Sequence, residues 1–171
     1  IYITKRIQQG ELFEHTSLFL DEENPMDEHY CSASALMQSN NLFAHSAVDA
    51  MELSQASKET LIRESLRRLV LHEVGHTLGL NHNFKGSNLL TYEEILNKDT
   101  TYEKGLCSSV MEYPSINFSL EAENQGLYYD TIPGPYDHWA IRFAYSQVDD
   151  EGLNAILDES TKHEHGFAND A

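Results

Sequence analysis

The sequence predicts an α+β fold, in which a small mixed sheet precedes one long helix and a largely irregular C-terminal half ends in further helix. Apolar and polar residues alternate over residues 1–7, as expected for a short strand, and 12–20 is a second candidate strand. Apolar residues then recur at helical spacing over residues 58–79. Beyond that helix, turn-forming residues interrupt the chain until a second apolar helix face begins at Pro135.

Length and charge limit what the chain can be. Its 171 residues suit a single domain over 1–171 with a core of its own. The chain begins at Ile1 rather than at a methionine, so we expect it to be a fragment or a processed form of a longer chain. A net charge of −17 argues against binding nucleic acid or an anionic membrane surface. No apolar run is long enough to span a bilayer.

Neither cysteine belongs to a C-x-x-C pair, so a cysteine-ligated metal site is not expected. The sequence leaves open whether Cys31 and Cys107 form a disulfide or stay as buried thiols. The many carboxylates leave Ca²⁺ binding as an alternative without assigned residues, because no Asp-x-Asp-x-Asp-Gly loop is present.

Residues 58–79 should form the long helix. Ser57 is a suitable N-cap, and Glu59 lies in the first turn, where a carboxylate interacts favourably with the helix dipole. Gly79 should end the helix, because glycine accepts left-handed geometry. Five apolar residues define one face: Ile62, Leu66, Leu69, Val70 and Val74. Four charged residues are expected on the opposite face: Arg63, Glu64, Arg67 and Arg68.

Short elements separated by turns are expected in the C-terminal half. Residues 92–97 are a predicted short helix and 100–109 a predicted loop. Pro135 is favourable at the first position of another helix, where its missing N–H leaves no helical bond unmade. The chain closes with a last short helix and a polar tail that carries His163 and His165.

Residues 72–82 read H-E-V-G-H-T-L-G-L-N-H and carry the clearest chemistry. His72 and His76 are four residues apart on the predicted helix, so their rings project from one face and can share one tetrahedral zinc. Glu73 lies off that axis, where its carboxylate can reach a zinc-bound water without binding the metal, as a general base must.

The third histidine, His82, requires a change of chain direction. A continuing helix would carry it away from the other two rings, whereas a turn at Gly79 lets it return as a third ligand. Three histidines leave one position open for water, which is the pattern of a catalytic zinc site. Zinc lowers the pKa of such a water to about 7, so it becomes a nucleophile at neutral pH.

This motif resembles the extended zinc-binding motif of the metzincin metallopeptidases. About 30 residues after His82, the segment S-S-V-M-E-Y at 108–113 is similar to the Met-turn of that family. The resemblance implies that Met111 lies beneath the zinc ligands as an apolar floor. It also implies a metzincin-like form of the α+β fold, with the substrate in a cleft between its two halves and residues 114–117 as candidates for the specificity pocket.

Tyr113 follows Met111 by two residues, as does a tyrosine of astacin-like and serralysin-like metzincins that ligates zinc or stabilises the tetrahedral intermediate. The resemblance makes Tyr113 a candidate for that role. The present sequence differs by having Glu112 where those groups usually carry histidine, and Pro114 after the tyrosine. The alternative is a tyrosine that only forms part of the pocket wall.

Further segments over residues 61–145, among them H-N-F-K-G-S and G-P-Y-D-H-W-A-I-R-F-A-Y, are similar to the catalytic domain of large bacterial zinc-dependent metallopeptidases. That resemblance implies further domains in a longer parent chain, and a secreted, periplasmic or envelope-associated location. It implies one catalytic zinc ion and a protein or peptide substrate. We therefore predict a zinc-dependent endopeptidase.

Two other functions fit the same motif. One is a zinc-binding domain that recognises a peptide without cutting it, although the presence of Glu73 argues against this alternative. The other is a zinc hydrolase that acts on a non-peptide amide or ester. Nothing in the sequence excludes that second alternative.

Overall fold

Helices and loops make up the part of the chain that the structure, a computed structural model, describes: residues 33–51 and 54–169. No β-strand occurs within these ranges, so the predicted α+β fold with a small mixed sheet is wrong. The two candidate strands, 1–7 and 12–20, lie outside the described residues. Loop backbone groups in these ranges bond to other loop backbone and to side chains, as the Tyr128 N–H does to the Glu64 carboxylate.

The first helix, α1 (Ala33–Ala50), packs against the long helix α2 (Gln55–Thr77). Its buried residues join one residue of α2 and two tyrosines of a later loop in an apolar cluster: Ala44, Val48, Leu61, Tyr128 and Tyr129. This cluster holds the first half of α2 against the C-terminal part of the chain.

The long helix confirms the prediction for 58–79, with small differences at its ends. It begins earlier than expected, because Ser54 is the N-cap and its hydroxyl accepts a hydrogen bond from the Ser57 backbone N–H at 3.3 Å. Ser57 therefore lies inside the first turn. The helix ends at Thr77, and Gly79 follows with a φ of 83°, as its predicted role in the turn requires.

The predicted orientation of α2 is wrong. Glu64 and Arg68, expected in solvent, are buried together with Ser65, whereas the expected core residues Ile62, Leu66, Val70 and Val74 are exposed. The reason is that the segment packed on this face is irregular and presents backbone N–H and C=O groups. Such groups need hydrogen-bond partners when they are buried, which apolar side chains cannot provide.

Four short helices follow: α3 (Tyr92–Ile95), α4 (Lys98–Lys104), α5 (Pro135–Tyr145) and α6 (Asp150–Asp158). The predicted loop over 100–109 is wrong in its first half, because Asn97 caps α4 by accepting a hydrogen bond from Thr100 N–H at 3.0 Å. Pro135 does begin α5, as predicted. The Trp139 indole N–H joins α5 to α6 through the Ile156 carbonyl, at 2.8 Å.

The C-terminal tail is more ordered than its polar sequence suggested. A 3-10 turn, His163–His165, is followed by extended chain, and His165 is buried with its ring stacked on Trp139 at a centroid distance of 5.4 Å. None of the described helices is both long and apolar enough to cross a membrane. Cys107 is a free, buried thiol, and burial raises its pKa well above the usual value.

Candidate metal centre

His72, His76 and His82 meet at one point, as the motif predicted. One ring nitrogen from each lies within 4.8 Å of the corresponding atoms of the other two. In the ranges that the structure describes, they are the one group of three or more His, Cys, Asp or Glu residues placed to hold a metal ion. The carboxylates of those ranges form no such group, so no Ca²⁺ site is assigned there.

His72 is held by the Met-turn. Its Nδ1 lies 2.7 Å from the backbone carbonyl of Val110, and only 1% of the residue is exposed. A carbonyl accepts hydrogen bonds only, so Nδ1 carries the proton and Nε2 keeps its lone pair. Burial lowers the pKa of His72 to about 4. The imidazole is therefore neutral at neutral pH, which is the form that binds a metal.

His76 is oriented by the turn that ends α2. The N–H groups of Gly79 and Leu80 bond back to the carbonyls of His76 and Gly75, both at 3.0 Å, which is the pattern of a Schellman turn. This reversal brings the Leu80 carbonyl to 3.2 Å from His76 Nδ1. The same turn thus redirects the chain and leaves Nε2 of His76 as the available nitrogen.

His82 completes the group from the loop beyond that turn. Its Nε2 is 3.1 Å from Nε2 of His76 and 2.7 Å from the Tyr113 hydroxyl. Two nitrogen ligands at about 2.0 Å from one tetrahedral ion are about 3.3 Å apart. The spacing of His76 and His82 therefore fits a shared ion, and an all-imidazole donor set suits zinc.

Met111 packs against α2 at Gly75, the residue before His76. It is fully buried against α2, and a Cβ added at Gly75 would overlap its sulfur atom. The Asp137 carboxylate fixes the turn by accepting hydrogen bonds from the Ser109 hydroxyl at 2.6 Å and Val110 N–H at 2.8 Å. The absence of a side chain at Gly75 is what lets the methionine approach the helix.

Arg68 is a site residue that the sequence analysis missed. It is 1% exposed and lies one helical turn before His72 on the same face of α2. Its guanidinium donates to the carbonyls of Val110 and Glu112, the second at 2.8 Å, and Nε lies 3.9 Å from the Asp130 carboxylate. The Val110 carbonyl therefore contacts both Arg68 and His72. The sequence signal for this role was the spacing of four residues between Arg68 and His72, which places both side chains on one helix face.

Glu112 takes a structural position rather than one at the metal. It is buried, and its carboxylate accepts hydrogen bonds from Ser87 N–H at 3.0 Å and Tyr113 N–H at 2.9 Å. These bonds join the Met-turn to the loop after His82. Glu73 lies beside His72 on α2, and its side chain is exposed.

A helical domain with three converging histidines over a buried methionine turn defines a candidate zincin centre. A family model described as Met-zincin matches residues 54–171, which is more than half of the chain. The chain therefore belongs to the Met-zincin family. Comparisons with curated proteins and with solved structures give no match.

Proposed function

We propose that this chain is the catalytic domain of a zinc-dependent endopeptidase. The observation that carries the proposal is the convergence of three imidazoles, two of them fixed through Nδ1 by the carbonyls of Val110 and Leu80. Membership in the Met-zincin family supports it. His72, His76 and His82 would hold one zinc ion, with one coordination position left for water or substrate.

Glu73 is the proposed general base. When bound, zinc supplies a Lewis acid that polarises the scissile carbonyl and acidifies water. The Glu73 carboxylate accepts a proton from the attacking water and then gives it to the leaving amine. Its position next to His72, with an exposed side chain, supports this role because the reacting atoms must enter from solvent.

Tyr113 is the proposed oxyanion stabiliser. Its hydroxyl lies 2.7 Å from His82 Nε2, so it is within reach of the same point as the three imidazoles. A hydroxyl there can donate a hydrogen bond to the oxygen that becomes negative as the carbonyl is attacked. Its ring also stacks on His72 at a centroid distance of 5.3 Å, which limits its orientation.

The substrate preference is proposed from a small cavity beside His72. Leu36 and Met37 of α1 line it together with Pro114, which follows the Met-turn. Its lining is mostly apolar, which favours an apolar over a charged side chain next to the cleaved bond. Asn117, at the far end of the candidate pocket segment, instead donates a hydrogen bond to the Leu127 carbonyl at 2.8 Å.

The wider setting is proposed from the resemblance to large bacterial metallopeptidases. We propose that the parent protein carries further domains and acts outside the cytoplasm, in a secreted, periplasmic or envelope-associated form. A proteomic search for longer peptides of the parent, in culture medium and in cell fractions, tests both points.

The test compares Glu73→Gln with wild type on an unbiased peptide mixture, with zinc content measured on both proteins. We expect Glu73→Gln to keep its zinc while its turnover falls about 10²–10⁴-fold, because the proton acceptor is lost. Glu59→Gln on the same helix is the matched control and should cleave like wild type. Equal cleavage by Glu73→Gln would remove the base assignment, and zinc-loaded wild type without cleavage would favour a recognition domain or a non-peptide hydrolase.

A further inference from the structure

The C-terminal segment Gly166–Ala168, here called the strap, lies against the loop that carries His82. The Ala168 carbonyl accepts a hydrogen bond from the Phe84 backbone N–H at 2.7 Å. The Gly166 carbonyl accepts another from the Asn83 side-chain amide at 3.0 Å. These contacts span more than eighty residues of sequence, so the strap links the end of the described chain to the candidate metal centre.

Asn83 is the residue through which the strap acts on this loop. It is fully buried, and its side-chain oxygen accepts hydrogen bonds from Lys85 N–H at 3.1 Å and Ala168 N–H at 3.2 Å. Its own backbone N–H donates to the Met111 carbonyl at 3.1 Å. One side chain thus joins the loop after His82 to the strap, and its backbone joins that loop to the Met-turn.

The three histidines depend on different supports. His72 and His76 belong to a packed helix, and each has its Nδ1 on a backbone carbonyl. His82 lies in a loop, so the position of its backbone depends on what the neighbouring residues contact. Asn83 follows it directly and is the most completely buried residue of that loop.

The strap is itself anchored on α5. The Phe167 ring stacks on Tyr136 at a centroid distance of 5.6 Å and an interplanar angle of 9°. On its N-terminal side, His165 Nδ1 donates to the Glu159 carbonyl at 2.8 Å. The strap is therefore held by side chains on one side while its backbone bonds the His82 loop on the other.

We propose that Asn83 is a positioning residue for His82, and that the strap Gly166–Ala168 completes the metal centre by holding Asn83. The proposal rests on the proposed function only in that the three histidines bind zinc. It assigns a role to a tail whose sequence suggested only a polar end. Without the strap, the loop after His82 loses three hydrogen bonds, one of the Phe84 backbone and two of the Asn83 side chain, and His82 is no longer fixed beside His76.

Zinc affinity, measured by competition with a chromophoric chelator, tests the proposal. We expect Asn83→Ala, and a variant that ends at His165, each to weaken zinc binding about 10–100-fold, as loss of supporting contacts does at other metal sites. Phe167→Ala removes only the ring contact with Tyr136 that anchors the strap, so it should give a smaller loss of zinc affinity. Asn41→Ala is the matched control, since Asn41 also joins two elements, through Ser65 and Tyr129, neither of which lies on the loop that carries His82.

A double-mutant cycle with His82→Ala separates positioning from general destabilisation. If Asn83 acts through His82, adding Asn83→Ala to His82→Ala should cause no further loss of zinc affinity. Additive losses, or unchanged affinity in Asn83→Ala and the shortened chain, would overturn the strap proposal while leaving the zinc site intact. A wild-type protein that binds no zinc would instead overturn the proposed function, and the strap proposal with it. If Asn83→Ala does not fold, the shortened chain and Phe167→Ala decide the outcome.

Discussion

In α2 the buried face is polar and the exposed face is apolar, which is the reverse of most surface helices. The inward face carries Glu64, Arg68 and His72, each one turn apart, and all three are buried. The outward face carries Val70, which is 60% exposed, within a row of other exposed apolar residues. An amphipathic helix normally buries its apolar face.

The difference shows what this helix is packed against. Its inward polar residues each bond the backbone of one irregular segment: Glu64 at Tyr128 and Tyr129, Arg68 and His72 at the Met-turn. An irregular segment has few internal partners for its own N–H and C=O groups. The inward face of α2 therefore supplies hydrogen bonds where a regular element would have allowed apolar packing, and the metal centre is built on that framework.

Breaking the inward face at Arg68 should have the largest effect. Arg68→Met leaves the Asp130 carboxylate buried without its cation, and it removes the donor of the Glu112 carbonyl and one of the two donors of the Val110 carbonyl. We therefore expect a loss of about 3–5 kcal/mol in the free energy of unfolding. Urea denaturation measures it. Arg67→Met, on an exposed position of the same helix, is the control and should stay within about 0.5 kcal/mol of wild type. A loss below about 1 kcal/mol in Arg68→Met would contradict the framework described above.

Two substitutions of Glu64 separate the loss of its hydrogen-bond acceptor from the loss of its charge. Glu64→Leu leaves two buried N–H groups without an acceptor and should cost about 1–3 kcal/mol, whereas Glu64→Gln keeps an acceptor oxygen and should cost less. Equal losses in the two variants would show that the hydrogen bonds contribute nothing of their own.

Wild type and Glu64→Gln should also differ in how their free energies of unfolding depend on pH. Burial raises the folded-state pKa of Glu64 above its usual 4.5, so the folded wild type holds its proton to higher pH than the unfolded chain does. The contribution of Glu64 to stability therefore falls as pH rises from about 4.5 through that raised pKa. Glu64→Gln cannot titrate there, so its stability relative to wild type should improve over that interval. Denaturation at a series of pH values measures the difference, and an opposite trend would mean that the folded pKa is lowered.

The outward face should give the smallest effect. Val70→Ser removes an exposed apolar side chain, and we expect a change within about 0.5 kcal/mol. Leu61→Ala, at a fully buried position of the same helix, should cost about 2–5 kcal/mol by comparison. If Val70→Ser proved as costly as Leu61→Ala, the outward face would have to be covered in solution.

The metal centre was far more predictable from sequence than the fold. Spacing alone placed His72 and His76 on one helix face, and Gly79 explained how His82 could return, because these are local geometric rules. The burial of Glu64 and Arg68 depends on backbone groups that come from residues more than forty positions away. Hydrophobic periodicity cannot detect such partners, so the helix was oriented the wrong way. The sheet prediction rested on two candidate strands, 1–7 and 12–20, which lie outside the described residues, and no strand occurs among the residues that are described.

X-ray absorption of the zinc-loaded protein tests the central claim most directly, since it counts the ligands of the ion and identifies them. We expect one zinc per chain with three imidazole nitrogens at about 2.0–2.1 Å and one non-imidazole oxygen ligand in the fourth position. His82→Ala should reduce the imidazole count by one. A wild-type spectrum with two imidazoles or fewer, or with sulfur in the first coordination shell, would contradict the account.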